Sequence, residues 1–336
     1  MKVITSYFGN RILKHVESDM ARLADEGFTG VVHTFSENDH RFYSGSFKDI
    51  VRVSHKAGLD VDLDPWGVGG VFGGEAFSAW ISEHPDSMQV SPNGQVRPLA
   101  CLNSKAFREY MMAWVKSAHE SGADGLFWDE PHLYISKKDE EHQRAWTCAC
   151  ETCRKLFRDK FAMDMPEILS PEIHKFRSFT ITDFLREMLM YGKSYGMRNT
   201  ICLLPAEFTR DDSLVWDDVA GLKGIDVIST DPYWLLAKKD VHDFVSYYSL
   251  RIRRLSEIFG LEGQIWILGF RIPSGREGEI ARAIETAYGA GIRNLAIWGF
   301  DACAQMSYLN CENPEKAWNI AVETFGKFSR KGALSG

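Results

Sequence analysis

Four cysteines offer the clearest chemistry in this chain: Cys101 alone, then Cys148, Cys150 and Cys153 in the run Cys-Ala-Cys-Glu-Thr-Cys. A thiolate is a soft ligand, and four of them enclose a tetrahedral Zn²⁺ with no position left for water. One loop would supply three ligands, and a distant segment would close the site through Cys101. The spacing therefore predicts a structural Zn²⁺ held by Cys101, Cys148, Cys150 and Cys153. The bland alternative is three buried small residues near a helix start plus an unrelated thiol. Three of the seven cysteines within six positions argue against it.

A second signal lies just upstream, in Gly125-Leu-Phe-Trp-Asp-Glu-Pro131. An apolar strand runs into two adjacent acids, Asp129 and Glu130, which are costly there unless used or paired. Other strand-like runs also end in acids, cations and rings: Asp64-Pro-Trp66, Asp231-Pro-Tyr-Trp234, Gly269-Phe-Arg271 and Trp298-Gly-Phe-Asp301. Paired carboxylates among aromatic faces are what cleavage of a glycosidic bond needs. One acid protonates the leaving oxygen, and the other attacks or stabilises the oxocarbenium-like centre. Asp129, Glu130 and Asp231 are the catalytic candidates. Asp64, Trp66, His132, Tyr233, Trp234, Arg271, Trp298 and Asp301 are candidates for holding the substrate. Asp-Pro also starts turns, so Asp64 and Asp231 have a second reading as loop caps. Arg271 either binds a substrate carboxylate or neutralises the acidic rim. His33 and Glu207 read more readily as structural and solvated residues.

The elements that must position these groups alternate along the whole chain. Strands are expected at Val3–Tyr7, Gly30–Phe35, Leu59–Leu63, Gly125–Trp128, Thr200–Leu204, Asp226–Ser229, Gln264–Leu268 and Leu295–Trp298. Amphipathic stretches separate them: Ile12–Glu26, Phe47–Ala57, Lys105–Ser121, Ile173–Tyr195, Val241–Phe259, Glu277–Ala290 and Pro314–Phe328. Eight strands alternating with helices predict an α/β fold, a (β/α)8 TIM barrel occupying residues 1–330 as one domain. An open doubly wound sheet is the runner-up, but no Gly-x-Gly-x-x-Gly turn follows the first strand. Insertions are expected after strand three, at about 67–103, and after strand four, at about 131–171. Both fall on the C-terminal face, where barrel active sites form. The zinc cysteines come from these two insertions, so the metal would pin two active-site loops together. Residues 329–336 read as frayed.

Bulk composition narrows the function. The chain has 336 residues, 45% hydrophobic, with net charge −7 and no basic stripe, which argues against nucleic acid and anionic membranes as partners. No apolar stretch approaches the ~18 residues of a membrane span. The first residues, MKVITSYFGN, lack a signal-peptide core, and an odd number of cysteines fits a reducing compartment. The expected location is cytoplasmic, and a homo-oligomer is compatible.

One cysteine followed by Cys-x-Cys-x-x-Cys after the fourth strand resembles the zinc site of the glycoside hydrolase family 42 β-galactosidases. Asp129-Glu130-Pro131 is similar to the Asn-Glu-Pro motif that ends strand four in the wider retaining-glycosidase superfamily. By that motif Glu130 takes the acid/base role. The superfamily's nucleophilic glutamate ends strand seven, but here that strand ends Ile267-Leu-Gly-Phe-Arg271 with no acid. Two other patterns accommodate this. In α-glycosidase barrels an aspartate ending strand four is the nucleophile and one after strand six the acid/base, which would be Asp129 and Asp231. In acetamido-sugar enzymes an Asp-Glu pair ends strand four and the substrate assists its own hydrolysis.

The resemblance thus implies a glycoside hydrolase acting on a glycoside or oligosaccharide through strand-end carboxylates. The expected arrangement has Asp129 as nucleophile or stabilising carboxylate, Glu130 as acid, and Asp231 facing them across the barrel mouth. The alternatives are a catalytically lapsed carbohydrate-binding barrel and a metal-dependent hydrolase of another substrate class. A histidine pattern for the latter is absent from the strand ends.

Overall fold

The computed structural model describes residues 1–8, 10–74, 76–134, 146–209 and 214–333. Eight parallel strands close into a barrel: Lys2–Tyr7, Gly30–Thr34, Asp60–Asp64, Gly125–Asp129, Arg198–Leu203, Val227–Thr230, Glu262–Leu268 and Asn294–Trp298. They are numbered here one to eight in that order. The eighth pairs with the first, so the sheet has no edge. Each strand expected from the sequence is present, within two residues at either end. Their near-continuous apolar character follows from burial on both faces, inside against the barrel core and outside against helices.

The amphipathic stretches form the outer helices. Their starts are set by side-chain caps: Ser104 Oγ accepts from Phe107 N–H, Ser170 Oγ from Ile173 N–H, and the Asp240 carboxylate from the N–H groups of His242 and Asp243. The last helix, Pro314–Ala333, runs past Phe328, so 329–333 are helical rather than frayed. The lower end of the barrel is filled by polar pairs. Arg198 meets Asp62 at 2.8 Å, and the Gln264 amide donates to Asn294 at 3.0 Å. These pairs lie below a barrel interior packed with side chains.

The first insertion contains an element that the sequence reading missed, an antiparallel hairpin of Met88–Val90 and Val96–Ala100. Cys101 follows its second strand directly. In the second insertion, residues 135–145 lie outside the described residues. Beyond them Ala149 N–H donates to Val90 O at 2.7 Å, tying this insertion to the hairpin, and Cys150 is the N-cap of a helix at Glu151–Phe161. The two insertions share a small apolar core with the start of the helix that follows, Trp146 and Phe157 meeting Ile173 and Phe176 around the cysteines.

Candidate functional site

The strand-four pair sits where strand geometry is broken on purpose. Successive side chains of a strand point to opposite faces, so Asp129 and Glu130 would diverge if the strand continued. Instead Glu130 has φ +44°, in the left-handed region. Both carboxylates thereby enter one cavity of about 350 Å³ at the barrel mouth, near the small end of the usual range for ligand pockets. A β-carbon placed on Gly73 would lie 2.2 Å from Asp129 Oδ2 and 3.3 Å from Glu130 Oε2. The two oxygens are thus no farther apart than the sum, 5.5 Å. Gly73 N–H also donates to Asp129 O, and Glu130 N–H to Cys202 O on strand five.

Asp231 lines the same cavity, at the end of strand six, and its side chain is within hydrogen-bonding reach of Glu130. It is only 2% exposed. Burial, then the charges of Glu130 and Asp129, hold its carboxyl well above the usual carboxylate range. Asp64 is fully buried beside them, and neither of its oxygens has a hydrogen-bond partner among the described residues. Burial and the Glu130 charge raise it in the same direction.

The other expected residues divide into two groups. Tyr233, Arg271 and Trp298 line the cavity. Trp66 is packed across Gly74, and its ring stands 5.6 Å from Phe8, which stacks on Trp298. Trp66 and Asp64 thus form the layer around the cavity rather than its wall. His132, Trp234 and Asp301 are not brought to it. His132 Nδ1–H donates to Glu130 O at 2.8 Å and braces the turn. Trp234 is buried, and its indole donates to Glu279 at 2.7 Å. Asp301 pairs with Arg22 at 3.0 Å. His33 is buried against Ser54, and burial lowers its imidazole to about 3, so it stays neutral. Glu207 is exposed and accepts from the Tyr248 hydroxyl at 2.5 Å.

Sequence reasoning missed part of the aromatic wall: Phe127, Trp266, Phe270 and Phe208. A signal existed for the first. Phe127 lies two positions before Asp129, and a period of two keeps it on the same face. Trp266 meets Phe127 with ring centroids 5.1 Å apart and Trp298 at 5.7 Å, so three rings form one continuous wall.

The cysteines converge as their spacing suggested. The Sγ atoms of Cys101, Cys148, Cys150 and Cys153 all lie within 4.8 Å of one another. Cys101 stands 3.7 Å from Cys150 and 3.5 Å from Cys153. A regular tetrahedron with Zn–S bonds of ~2.3 Å has edges of about 3.8 Å, so the donor set fits this ion. Asn103 donates a hydrogen bond to Cys153 Sγ at 3.3 Å, an outer contact of the kind that orients a ligand. The neighbouring sulfurs, and burial after them, hold the Cys101 and Cys153 thiols well above their ordinary range. The same neighbours push the Cys150 thiol down, so one thiolate forms within the cluster and a cation is needed to ionise the raised Cys101 and Cys153 beside it.

Comparison with known proteins agrees with this geometry. A family model described as β-galactosidase, of glycoside hydrolase family 42, matches residues 11–170. That stretch includes all four cysteines and Asp129-Glu130, and it stops before Asp231. No curated protein sequence matches the chain. Among solved structures, a GH5_18 from Streptomyces cattleya in complex with GlcNAc aligns at TM-score 0.60 and 12% identity, over 98% of this chain and 80% of that one. An endo-β-1,4-mannanase from Thermotoga petrophila aligns at TM-score 0.57 and 9% identity, over 96% and 76%. A D-allulose 3-epimerase from Methylomonas sp. aligns at TM-score 0.53 and 10% identity, over 97% of both chains. At such identities the likeness is one of fold, and the fold hosts unlike chemistries. The protein is a (β/α)8 barrel that resembles the glycoside hydrolases, in sequence over residues 11–170 and in fold over nearly its whole length.

Proposed function

We propose that the protein is a glycoside hydrolase whose reaction is carried by Asp129, Glu130 and Asp231. The observation that carries this reading is the meeting of the two strand-four carboxylates at Gly73, in an aromatic-walled cavity. The bound of 5.5 Å between Asp129 Oδ2 and Glu130 Oε2 accommodates the ~5–5.5 Å of retaining enzymes and falls short of the ~6.5–9.5 Å that leaves room for an attacking water. Asp129 is assigned as nucleophile and Glu130 as acid/base. Asp231 was expected across the mouth from the pair. Its contact with Glu130 makes it a proton partner of that residue, since a touching acid cannot take the opposite face of the sugar. Its carboxyl, held neutral by burial and by the adjacent charges, can donate a hydrogen bond to the Glu130 carboxylate that forms when the leaving oxygen is protonated, and Glu130 recovers its proton from the attacking water in the second half-reaction.

Tyr233, Trp298, Trp266 and Phe127 would bind the apolar faces of the sugar ring. A structural Zn²⁺ held by Cys101, Cys148, Cys150 and Cys153 would clip the two insertions whose bases carry Gly73 and Glu130. When bound it supplies rigidity and no chemistry, because four thiolates leave it no open position.

The test is a screen of aryl glycosides covering α and β hexosides, uronides and N-acetylhexosaminides, run with the wild type and Asp129→Asn. Turnover that disappears in the variant supports the assignment. Cleavage of 2-acetamido sugars alone, with Asp231→Asn nearly unaffected, would instead identify substrate-assisted hydrolysis. No turnover of any glycoside would leave a carbohydrate-binding barrel.

A further inference from the structure

Among the described residues that line the cavity Arg271 is the one cation, and it pairs with none of the acids lining it. Its side chain is fixed from two directions. The Arg271 guanidinium lies over the ring of Tyr308, 3.8 Å from the centroid, and its Nε–H donates to Tyr308 O at 3.1 Å. The backbone is fixed as well: Arg271 has φ +50°, and its N–H donates to Leu309 O at 2.9 Å. The two terminal nitrogens make no hydrogen bond or ion pair with any described residue. Asp129, Glu130 and Asp231 line the same cavity, yet Arg271 forms a salt bridge with none of them. Strand seven, which leads to Arg271, stands three strands round the barrel from strand four. A guanidinium held still, with its outer fork unoccupied and facing a ligand cavity, is a receptor for a planar oxyanion.

We infer that the substrate is an acidic sugar, a glycoside whose ring carries a carboxylate, and that Arg271 binds this carboxylate at the end of the cavity away from Asp129 and Glu130. The inference rests on the glycosidase reading and names its substrate class. Placement matters, because a second anion beside the catalytic acids would be repelled. Held at Arg271 instead, the carboxylate exchanges its hydration for two parallel charge-assisted N–H···O bonds. Tyr308 is 71% exposed and acts as the platform that keeps the fork flat. A sulfated sugar presents the same charge with tetrahedral oxygens, so the two anions are separable by experiment.

Binding is measured by calorimetry with free hexuronates, the corresponding neutral hexoses and hexose sulfates, against the wild type, Arg271→Ala, Arg271→Lys and Tyr308→Ala. Hexuronates should bind most tightly. Hydrogen bonds to charged groups contribute ~1.5–3 kcal/mol, so the affinity ratio of hexuronate to neutral hexose should fall about 10–100-fold in Arg271→Ala. The lysine variant should recover part of it, and Tyr308→Ala should lose part. If Arg271→Ala does not fold, the lysine and Tyr308 variants still report the ratio. Preference for the sulfate, equal binding of neutral and acidic sugars, or an unchanged ratio in the variants would overturn the inference. Hexuronate binding that depends on Arg271 without hydrolysis of any glycoside would sink the glycosidase reading alone. Hydrolysis of neutral glycosides that depends on Asp129, with no role for Arg271, would sink this inference alone.

Discussion

Asp129 and Glu130 are neighbours in sequence, yet their carboxylates both crowd the one position that a β-carbon on Gly73 would take. The left-handed backbone at Glu130 is what turns the second acid back toward the first. A non-glycine residue held there costs on the order of 1–3 kcal/mol, a strain that persists where surrounding structure enforces it. Here Glu130 N–H is bonded to strand five and Glu130 O to His132. Asp129→Asn and Glu130→Gln keep shape and remove charge. Each should lower kcat/KM by about 10²–10⁴-fold on the cleaved glycoside. Steady-state kinetics check this, and retention of more than about a tenth of wild-type kcat/KM in both variants would make the pair structural.

Gly73 should be intolerant of any side chain. A methyl group there would press within 2.2 Å of Asp129 Oδ2, so Gly73→Ala must displace the carboxylate. A displacement of about 1 Å can cost about 10²-fold in rate. The expected signature is a lower kcat with KM little changed. Gly45→Ala, where nothing lies within 4 Å of the added carbon, is the control and should behave as wild type. Equal kinetics for the two variants would show that the Asp129 position is unimportant.

Burial of Asp64 and Asp231 makes stability depend on pH with a definite sign. Both hold protons in the folded state at pH values where the unfolded chain has released them. The folded state then binds more protons, so stability falls as pH rises from about 4 upward through the raised folded values. Each proton so held contributes a slope of up to about 1.4 kcal/mol per pH unit. Asp231→Asn should flatten the decline of Tm between pH 5 and 8 while abolishing most turnover, and Asp64→Asn should flatten it too. Unfolding followed by circular dichroism at several pH values tests this. A steeper decline in either variant contradicts the sign.

One zinc per chain is expected on elemental analysis of protein purified without chelator. Cys150→Ser should lower the metal content and quicken proteolysis within 131–171. Closed thiolate sites in small peptides couple metal binding to ~10–16 kcal/mol of apparent free energy. Only part of that can appear as global stability here, because the cysteines belong to a small core separate from that of the barrel. Unchanged proteolysis after loss of the metal would show that the clip does not hold the insertions.

The sequence by itself determined the barrel, the two insertions, the cysteine cluster and the strand-four acids. All of these are local or repetitive signals. Apolar runs bounded by glycine and aspartate recur eight times with amphipathic helices between them, and closing such an alternation leaves one architecture. Ligand chemistry is equally local when three cysteines share one loop. Only the tertiary structure decided which strand-end groups share the mouth. Trp234 and Tyr233 are adjacent in the same motif, but a short helix beginning at Trp234 takes its indole outward to Glu279, while Tyr233 stays at the cavity. Asp301 ends a strand as convincingly as Asp231, yet the chain turns it to Arg22 on the first outer helix. Asp231 lies within hydrogen-bonding reach of Glu130, while Arg271 pairs with no described acid, and neither fact is written in the residues flanking them. Those relations depend on loop paths and on which strands stand opposite once the sheet closes, and both are set by contacts between residues far apart in the chain.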